Sequence, residues 1–376
     1  MPVTLIYTKE VSEYDFGIGH PFRGIRYKLF FNYLKGKLRE GIDYQILKAQ
    51  PVSDEDLLLI CSKEYIDYVR NFYESAYNGE INYLVALSSN FISIDNIPGE
   101  NPGNIEKAAR FILGQMRLAC DLIERGDYKK IFSIGGGLHH AKSSFGEGFC
   151  VYNDIAYGAK YLIEKYGYER ILILDTDAHA GNGTMEYFYE DPRVLFIDIH
   201  QDPKTIYPGT GFVWQIGEGK GKGFTINCPL KPGACWDSYQ YVFENVVFPI
   251  TEEFNPQIII RYGGTDPYWN DTLTSLGLTI SDFKKIGEYI NNLSKICNGK
   301  VIDAIASGYN DKAIAPGWLA LISGLSELKI EILEPEEVPE KYYSDPVLKD
   351  TKEMVRELKK YLKKYWKCMS QWNWKA

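Results

Sequence analysis

The chain has 376 residues, 45% of them hydrophobic and 24% charged, which supplies a large buried core and excludes a chain disordered throughout. Its formal net charge of −8 excludes a surface built over its whole extent to neutralise phosphates, so no direct nucleic-acid binding is expected. The seven cysteines include no C-x-x-C pair and are odd in number, which excludes a simple disulfide framework and leaves Cys150 to be read as a small buried residue rather than a catalytic thiol.

The opening segment MPVTLIYTKE has neither the basic start nor the long apolar stretch of a secretory signal, and no apolar run reaches the roughly 18 residues of a spanning helix, so a soluble, cytoplasmic protein is expected. Helical periodicity over 104–125 leads into a short apolar run at 130–134 that reads as a buried strand. A second helix is predicted over 154–166, followed by strands at 171–174 and 194–199 with a short helix over 183–189 between them. Two further buried strands are predicted at 257–260 and 300–305. Strands alternating with helices, with no linker before about residue 330, imply one α/β domain whose mostly parallel central sheet is covered by helices on both faces. Residues 1–330 are read as that domain, and the acidic, proline-containing 331–340 as a connector. Beyond it Val355, Leu358, Leu362, Tyr365, Trp366 and Met369 recur at three- and four-residue steps among lysines, which predicts one amphipathic helix over 349–369 packed on the domain or on a sister subunit in a homo-oligomer.

Four of the five histidines, His139, His140, His179 and His200, stand in apolar contexts beside predicted strands. An adjacent pair such as His139–His140 after a glycine-rich turn is hard to account for by packing alone. In ILILDTDAHAGNG, Asp175, Asp177 and His179 fall at alternate positions where a strand ends, so an extended backbone is expected to direct them to one face. Asp266 and Tyr309 each lie just beyond another apolar strand, and in open parallel sheets ligands bind outside the carboxyl ends of the strands. Two aspartates and a histidine suit zinc or iron(II) and leave an open position, the requirement of hydrolytic metal chemistry with a histidine moving the proton and a tyrosine at the oxyanion.

GGGLHHA (135–141), GFCVYNDIA (148–156), DTDAHAGNG (175–183), YPGTG (207–211) and GTDPYWND (264–271) resemble, in order and spacing, the motifs of the histone deacetylase superfamily, which includes acetoin utilization proteins and acetylpolyamine amidohydrolases. The likeness runs from His20–Pro21 to SGYN (307–310) and Trp318. It implies an arginase/deacetylase-like α/β fold and a metal-dependent deacylase acting on an acyl-lysine peptide or protein, or on an acylpolyamine, with one Zn2+ or Fe2+ per chain held by Asp177, His179 and Asp266. His140 is then the general base and acid, His139 its electrostatic partner paired with Asp175, and Tyr309 the carbonyl activator. Phe149 and Tyr207 become tunnel walls with Gly148 beside them, Asp95 a rim residue for the substrate backbone, and Arg26 a neighbour of an internal product channel. A structural potassium ion is implied near Asp175, Asp177, His179 and Asp198. Leu273 stands where a polyamine-selective site would present an acid, so the expectation leans to acyl-lysine.

Two positions depart from the common pattern: Ala180, and Asn182 in place of an aspartate facing His140. Asn182 is expected either to orient the His140 imidazole without supplying charge or to cap the helix that follows. An arginase-type binuclear centre is disfavoured because Gly181 and Gly264 occupy the places of its additional carboxylates. A pure binding protein would not need the metal ligands, histidine pair and Tyr309 together, and Gly135–Gly137 lack the spacing of a dinucleotide fingerprint.

Overall fold

A computed structural model describes residues 2–82 and 86–370. Its centre is an eight-stranded, all-parallel sheet of β1 (Val3–Ile6), β2 (Tyr44–Leu47), β3 (Lys130–Ile134), β4 (Ile171–Asp175), β5 (Val194–Gln201), β6 (Thr225–Leu230), β7 (Ile258–Gly263) and β8 (Val301–Ile305). The spatial order is β2-β1-β3-β8-β7-β4-β5-β6. Every residue of β4, β5, β7 and β8 is buried, and because side chains alternate between faces, both faces of the central strands are covered.

The covering helices are α1 (Ile25–Lys37), α2 (Asp54–Leu57), α3 (Lys63–Tyr77), α4 (Ile105–Glu124), α5 (Asp154–Tyr166), α6 (Asn182–Phe188), α7 (Trp236–Val242), α8 (Phe248–Phe254), α9 (Ile280–Ser294), α10 (Asp311–Ser326), α11 (Leu348–Leu362) and α12 (Lys367–Ser370). Helices α1, α9 and α10 pack as one group and α4 with α5 as another. α5 begins at Asn153, whose side chain accepts the Ala156 N–H, and ends at Gly167 in the left-handed conformation, a pairing of polar N-cap and glycine C-cap.

The five strands predicted from apolar runs are all present, with ends that differ by up to three residues. β1, β2 and β6 were not predicted. They are short or lie toward the sheet edges, and β6 contains Asn227 and Pro229, which break the apolar run on which the prediction depended.

The C-terminal prediction requires correction. The single helix expected over 349–369 stops at Leu362, turns through 363–366 and resumes as α12. Packing decides this: Trp366 leaves the helical path to set its ring 5.3 Å from Phe224 and 6.2 Å from Phe254, and its indole N–H donates to the Gly223 carbonyl at 2.7 Å. Val355, Leu358 and Leu362 are buried, and α11 lies against α7 and the edge strand β6. The preceding connector is tied to the domain through Glu334, which accepts from Ile280 N at 2.5 Å and Tyr268 Oη at 3.2 Å.

Trp366→Ala should therefore lower the free energy of unfolding by roughly 3–5 kcal/mol, the usual cost of truncating a buried tryptophan. A urea denaturation midpoint equal to that of the unaltered chain would show that the tail is not part of the cooperative unit.

Candidate active site

Five neighbouring strands, β3, β8, β7, β4 and β5, send their carboxyl ends to one edge of the sheet, and the loops leaving four of them carry the buried histidines, carboxylates and Tyr309. After β3 the chain turns through Gly135–Leu138. Asp154, the first residue of α5, accepts the N–H groups of Gly137 at 2.8 and 2.9 Å and of Leu138 at 2.7 Å. Asn153 Nδ2 donates to the carbonyls of His139 at 3.3 Å and Ala141 at 3.1 Å. Gly137 sits at φ +117°, and a Cβ there would lie 1.8 Å from the Tyr262 ring, so only glycine permits this approach. The asparagine–aspartate pair of GFCVYND thus fixes the turn that presents the histidines.

His139 Nδ1 lies 2.7 Å from Asp175 Oδ2, and the Nε2 atoms of His139 and His140 lie 3.0 Å apart, so both rings aim that nitrogen into one space. Burial disfavours charge on His139, but Asp175 and Asp177 outweigh it and raise its pKa to about 9. Burial, then the charges of His139 and His179, drives the pKa of His140 well below its ordinary value, which keeps it neutral at pH 7. Its Nδ1 faces Asn182 Oδ1 at 2.7 Å. Asn182 is the first residue of α6, with Gly181 at the N-cap position, so its side chain serves the histidine and does not cap the helix.

The turn after β4 corrects the expected geometry. The extended backbone ends at Asp175, and it is a pair of turns that brings Asp177 and His179 together: Asp175 Oδ1 accepts the Asp177 N–H at 3.0 Å, and Asp177 Oδ1 accepts the His179 N–H at 2.8 Å. His179 Nδ1 then lies 3.1 Å from Asp177 Oδ1 and 3.0 Å from Asp266 Oδ2. Asp266 is held in place by Ser307 Oγ at 2.8 Å and Ala178 N at 3.1 Å. Burial opposes charge on His179, yet the two aspartates raise its pKa to about 10. Burial and the neighbouring Asp177 push Asp266 far above the usual carboxylate range, so the pair does not ionise fully without a compensating cation. One donor atom from each of Asp177, His179 and Asp266 lies within 4.8 Å of the others, all three buried. Three N/O donors with this shared charge deficit fit a divalent ion of the zinc or iron(II) type.

Asp198 Oδ2 accepts the Gly181 N–H at 2.9 Å, while Oδ1 lies 2.8 Å from His200 Nδ1 in a direction unsuited to a hydrogen bond. His200, the fourth histidine read beside a predicted strand, holds the 207–211 loop through Nε2, 2.9 Å from the Gly211 carbonyl.

Tyr309 is placed by Asp271, whose Oδ2 accepts its backbone N–H at 2.7 Å. Among the described residues no acceptor takes the Tyr309 hydroxyl, and the ring lies 6.5 Å from His179 and 6.1 Å from Phe149. Burial, offset in part by Arg26, raises its pKa well above the ordinary value, so it stays a donor. Arg26 is buried, its guanidinium 5.3 Å from the Tyr309 ring and 2.8 Å from the Ala306 carbonyl. Phe149 packs edge-on to His20 at 4.6 Å, and Tyr207 edge-on to His140 at 5.1 Å. Gly148, at φ +60°, backs onto the His140 ring, and its N–H donates to Asp95 Oδ2 at 2.9 Å. The other Asp95 oxygen accepts from Ser93 Oγ, so Asp95 braces the Phe149 loop from within the chain. Leu273 is 38% exposed; Asp271 accepts the N–H groups of Leu273 and Tyr309.

Sequence reasoning overlooked Glu147, Tyr262, Asp271 and the structural part of Asn153–Asp154. Asp271 carried a signal in its closeness to Asp266, and Asn153–Asp154 in their place within GFCVYNDIA (148–156). Tyr262 donates its hydroxyl to Asp177 Oδ2 at 2.8 Å while its ring sits 4.7 Å from His139. Nothing in a strand sequence distinguishes such a tyrosine from ordinary core.

The sequence pattern of the histone deacetylase domain matches residues 20–325. A "Probable deacetylase" of Archaeoglobus fulgidus is 33% identical over 380 residues, covering 98% of this chain and 99% of that protein. An "Acetoin utilization protein AcuC" of Staphylococcus aureus (strain MRSA252) is 33% identical over 328 residues, covering 87% of this chain and 82% of that protein. The crystal structure of the HDA15 HD domain superposes with a TM-score of 0.81 at 22% identity, covering 98% of this chain and 97% of that one, which shows a shared fold.

Because hydrogen bonds to metal-ligating carboxylates typically change affinity by about 10–100-fold, Tyr262→Phe should weaken zinc binding by roughly tenfold with little change in melting temperature. Competition with a chromogenic chelator reads this directly, and unchanged affinity would leave the hydroxyl with a packing role alone.

Proposed function

The chain belongs to the histone deacetylase family, and from that premise we propose that it is a metal-dependent deacylase cleaving the amide of an acyl-lysine in a peptide or protein. The observation that carries this reading is the meeting, at one sheet edge, of a buried three-donor cluster, two histidine Nε2 atoms and an unpartnered tyrosine hydroxyl. In this reading residues 1–330 are the catalytic unit and 331–370 a connector and brace, with 371–376 outside the described residues. Among the described residues no helix is long and apolar enough to cross a membrane.

Asp177, His179 and Asp266 would hold the ion. Zinc or iron(II) bound there polarises the amide carbonyl and lowers the pKa of the attacking water. Phe149 and Tyr207 flank a slender alkyl stem and keep bulk water from its length. His140, neutral and with Nε2 directed into the site, takes a proton from the attacking water as its oxygen bonds to the carbonyl carbon. Tyr309 donates a hydrogen bond to the oxygen that becomes negative, and His139, backed by Asp175, stabilises the electrostatics of the pair. His140 then returns the proton to the departing nitrogen as the C–N bond breaks, giving a carboxylic acid and an amine, whose remaining proton passes between them so that they leave as carboxylate and ammonium. A structural potassium ion beside Asp198 would neutralise the carboxylates beneath the turn. Acyl-lysine is favoured over acylpolyamine because Asp271 is engaged by backbone N–H groups and the rim offers Leu273 where a polycation would need an acid.

Chelation should abolish hydrolysis across a panel of acyl-lysine peptides and acylpolyamines, and adding zinc, cobalt or iron(II) should restore it, with kcat/KM highest for acetyl-lysine peptides. Full turnover in a sample shown to be metal-free would end the proposal, and a higher kcat/KM for acetylspermidine would reassign the substrate.

Tyr309→Phe should retain its metal and fold but lose about 10²–10³ in kcat, the usual effect of deleting one oxyanion donor. Near-normal kcat would remove Tyr309 from the reaction.

A further inference from the structure

Glu147 precedes the Gly148–Phe149 wall and is only 14% exposed at its side chain. Its Oε1 accepts the amide N–H of Asn182 at 2.9 Å and faces Lys142 Nζ at 3.1 Å, and its Oε2 accepts the Tyr207 hydroxyl at 3.0 Å. On its other side Asn182 meets His140 Nδ1 at 2.7 Å. The order His140–Asn182–Glu147 is therefore a continuous line of hydrogen bonds leading out from the site.

Asparagine differs from aspartate in that its amide has two ends. With its oxygen toward His140 it accepts a hydrogen bond from Nδ1–H and leaves the Nε2 lone pair as the base, on the side facing His139 Nε2 at 3.0 Å; with its NH2 toward His140 it forces the proton onto Nε2 and removes the base. A carboxylate only accepts. Glu147 thus obliges Asn182 to turn its NH2 outward and its oxygen inward.

We propose that Glu147 is a positioning residue that sets the tautomer of His140 by fixing the orientation of the Asn182 amide. The inference rests on the deacylase reading above. It explains how this chain works with an amide where a carboxylate would orient the imidazole unaided: the acceptor-only group is moved one residue further out, where it also anchors the Tyr207 wall.

The test is a set of variants at the two positions, assayed for turnover and by 15N NMR of the imidazole nitrogens, which separates Nδ1–H from Nε2–H histidine. Glu147→Met should lower kcat roughly tenfold or more with KM little changed, since a mis-set tautomer in a histidine base is costly, and should move His140 toward a tautomer mixture. Glu147→Gln keeps an acceptor for Asn182 and a donor for the Tyr207 oxygen, so it should retain most of kcat. Adding Asn182→Asp to Glu147→Met should restore turnover to within a few-fold, because an acceptor-only side chain then faces His140 directly. A role confined to packing Tyr207 or pairing Lys142 would not be rescued in this way. Unchanged kcat and tautomer in Glu147→Met, or a loss that Asn182→Asp does not repair, would overturn the proposal, and Glu147→Ala takes the place of the methionine variant if that one does not fold. Absence of acyl-amine hydrolysis by the unaltered chain would defeat the deacylase reading alone, and the NMR readout would still decide the tautomer.

Discussion

Asp175, Asp177, Asp198 and Asp266 lie buried within one small volume with His139, His140 and His179, and almost every local feature of the structure follows from the need to balance that charge. Carboxylates removed from water persist only when protons, hydrogen bonds or cations offset them. Here each is offset differently: Asp175 by His139 and the Asp177 N–H, Asp177 by Tyr262 and His179, Asp266 by Ser307 and His179, Asp198 by the Gly181 N–H. The residual deficit sits between Asp177 and Asp266, where the three donors face one another. An arrangement of this kind is costly in an apoprotein and is a source of metal affinity.

The cluster survives because the surrounding fold determines it many times over. Asp154 and Asn153 hold the histidine turn from α5, and Asp271 holds Tyr309 from the β7 side. Beneath them Arg261 and Asp303, paired across β7 and β8 at 2.9 Å, form an ion pair fully enclosed by the sheet, and Arg261 also donates to Thr176 Oγ1 at 3.0 Å, one residue before Asp177. A buried ion pair contributes little net stability, but removing either partner leaves a charge stranded, so it fixes strand register beneath the site.

Different parts of the candidate site differ in how they are held. The 175–179 turn and the histidine pair are pinned by backbone hydrogen bonds and are almost wholly enclosed. The outer wall is held by side chains: Tyr207 by Glu147, the Phe149 loop by Asp95 and by Tyr14, whose hydroxyl donates to the Phe149 carbonyl at 2.7 Å. The buried cluster is thus given rigid supports, and the residues proposed to flank a substrate stem are carried on loops, the usual division between scaffold and specificity.

Much of this was legible in the sequence. Mostly apolar runs followed by segments carrying Asp, His or Tyr located the five central strands, and with them the edge where ligands meet in such sheets, because strands buried on both faces are predominantly apolar. The candidate site residues stood out by position: Asp177, His179, Asp266 and the His139–His140 pair lie just beyond apolar strands, where the chain leaves the sheet. What the sequence could not supply was anything dependent on distance between segments. Extended geometry was expected to align Asp177 with His179, and turns do so instead. Asn182 was left between two roles, and only its 2.7 Å approach to His140 decided for the histidine. Glu147 and Tyr262 gave no signal, since a glutamate in a loop and a tyrosine in a strand are ordinary by themselves. Their meaning comes from partners 35 and 85 positions away, brought within hydrogen-bond reach by a sheet order that periodicity does not encode.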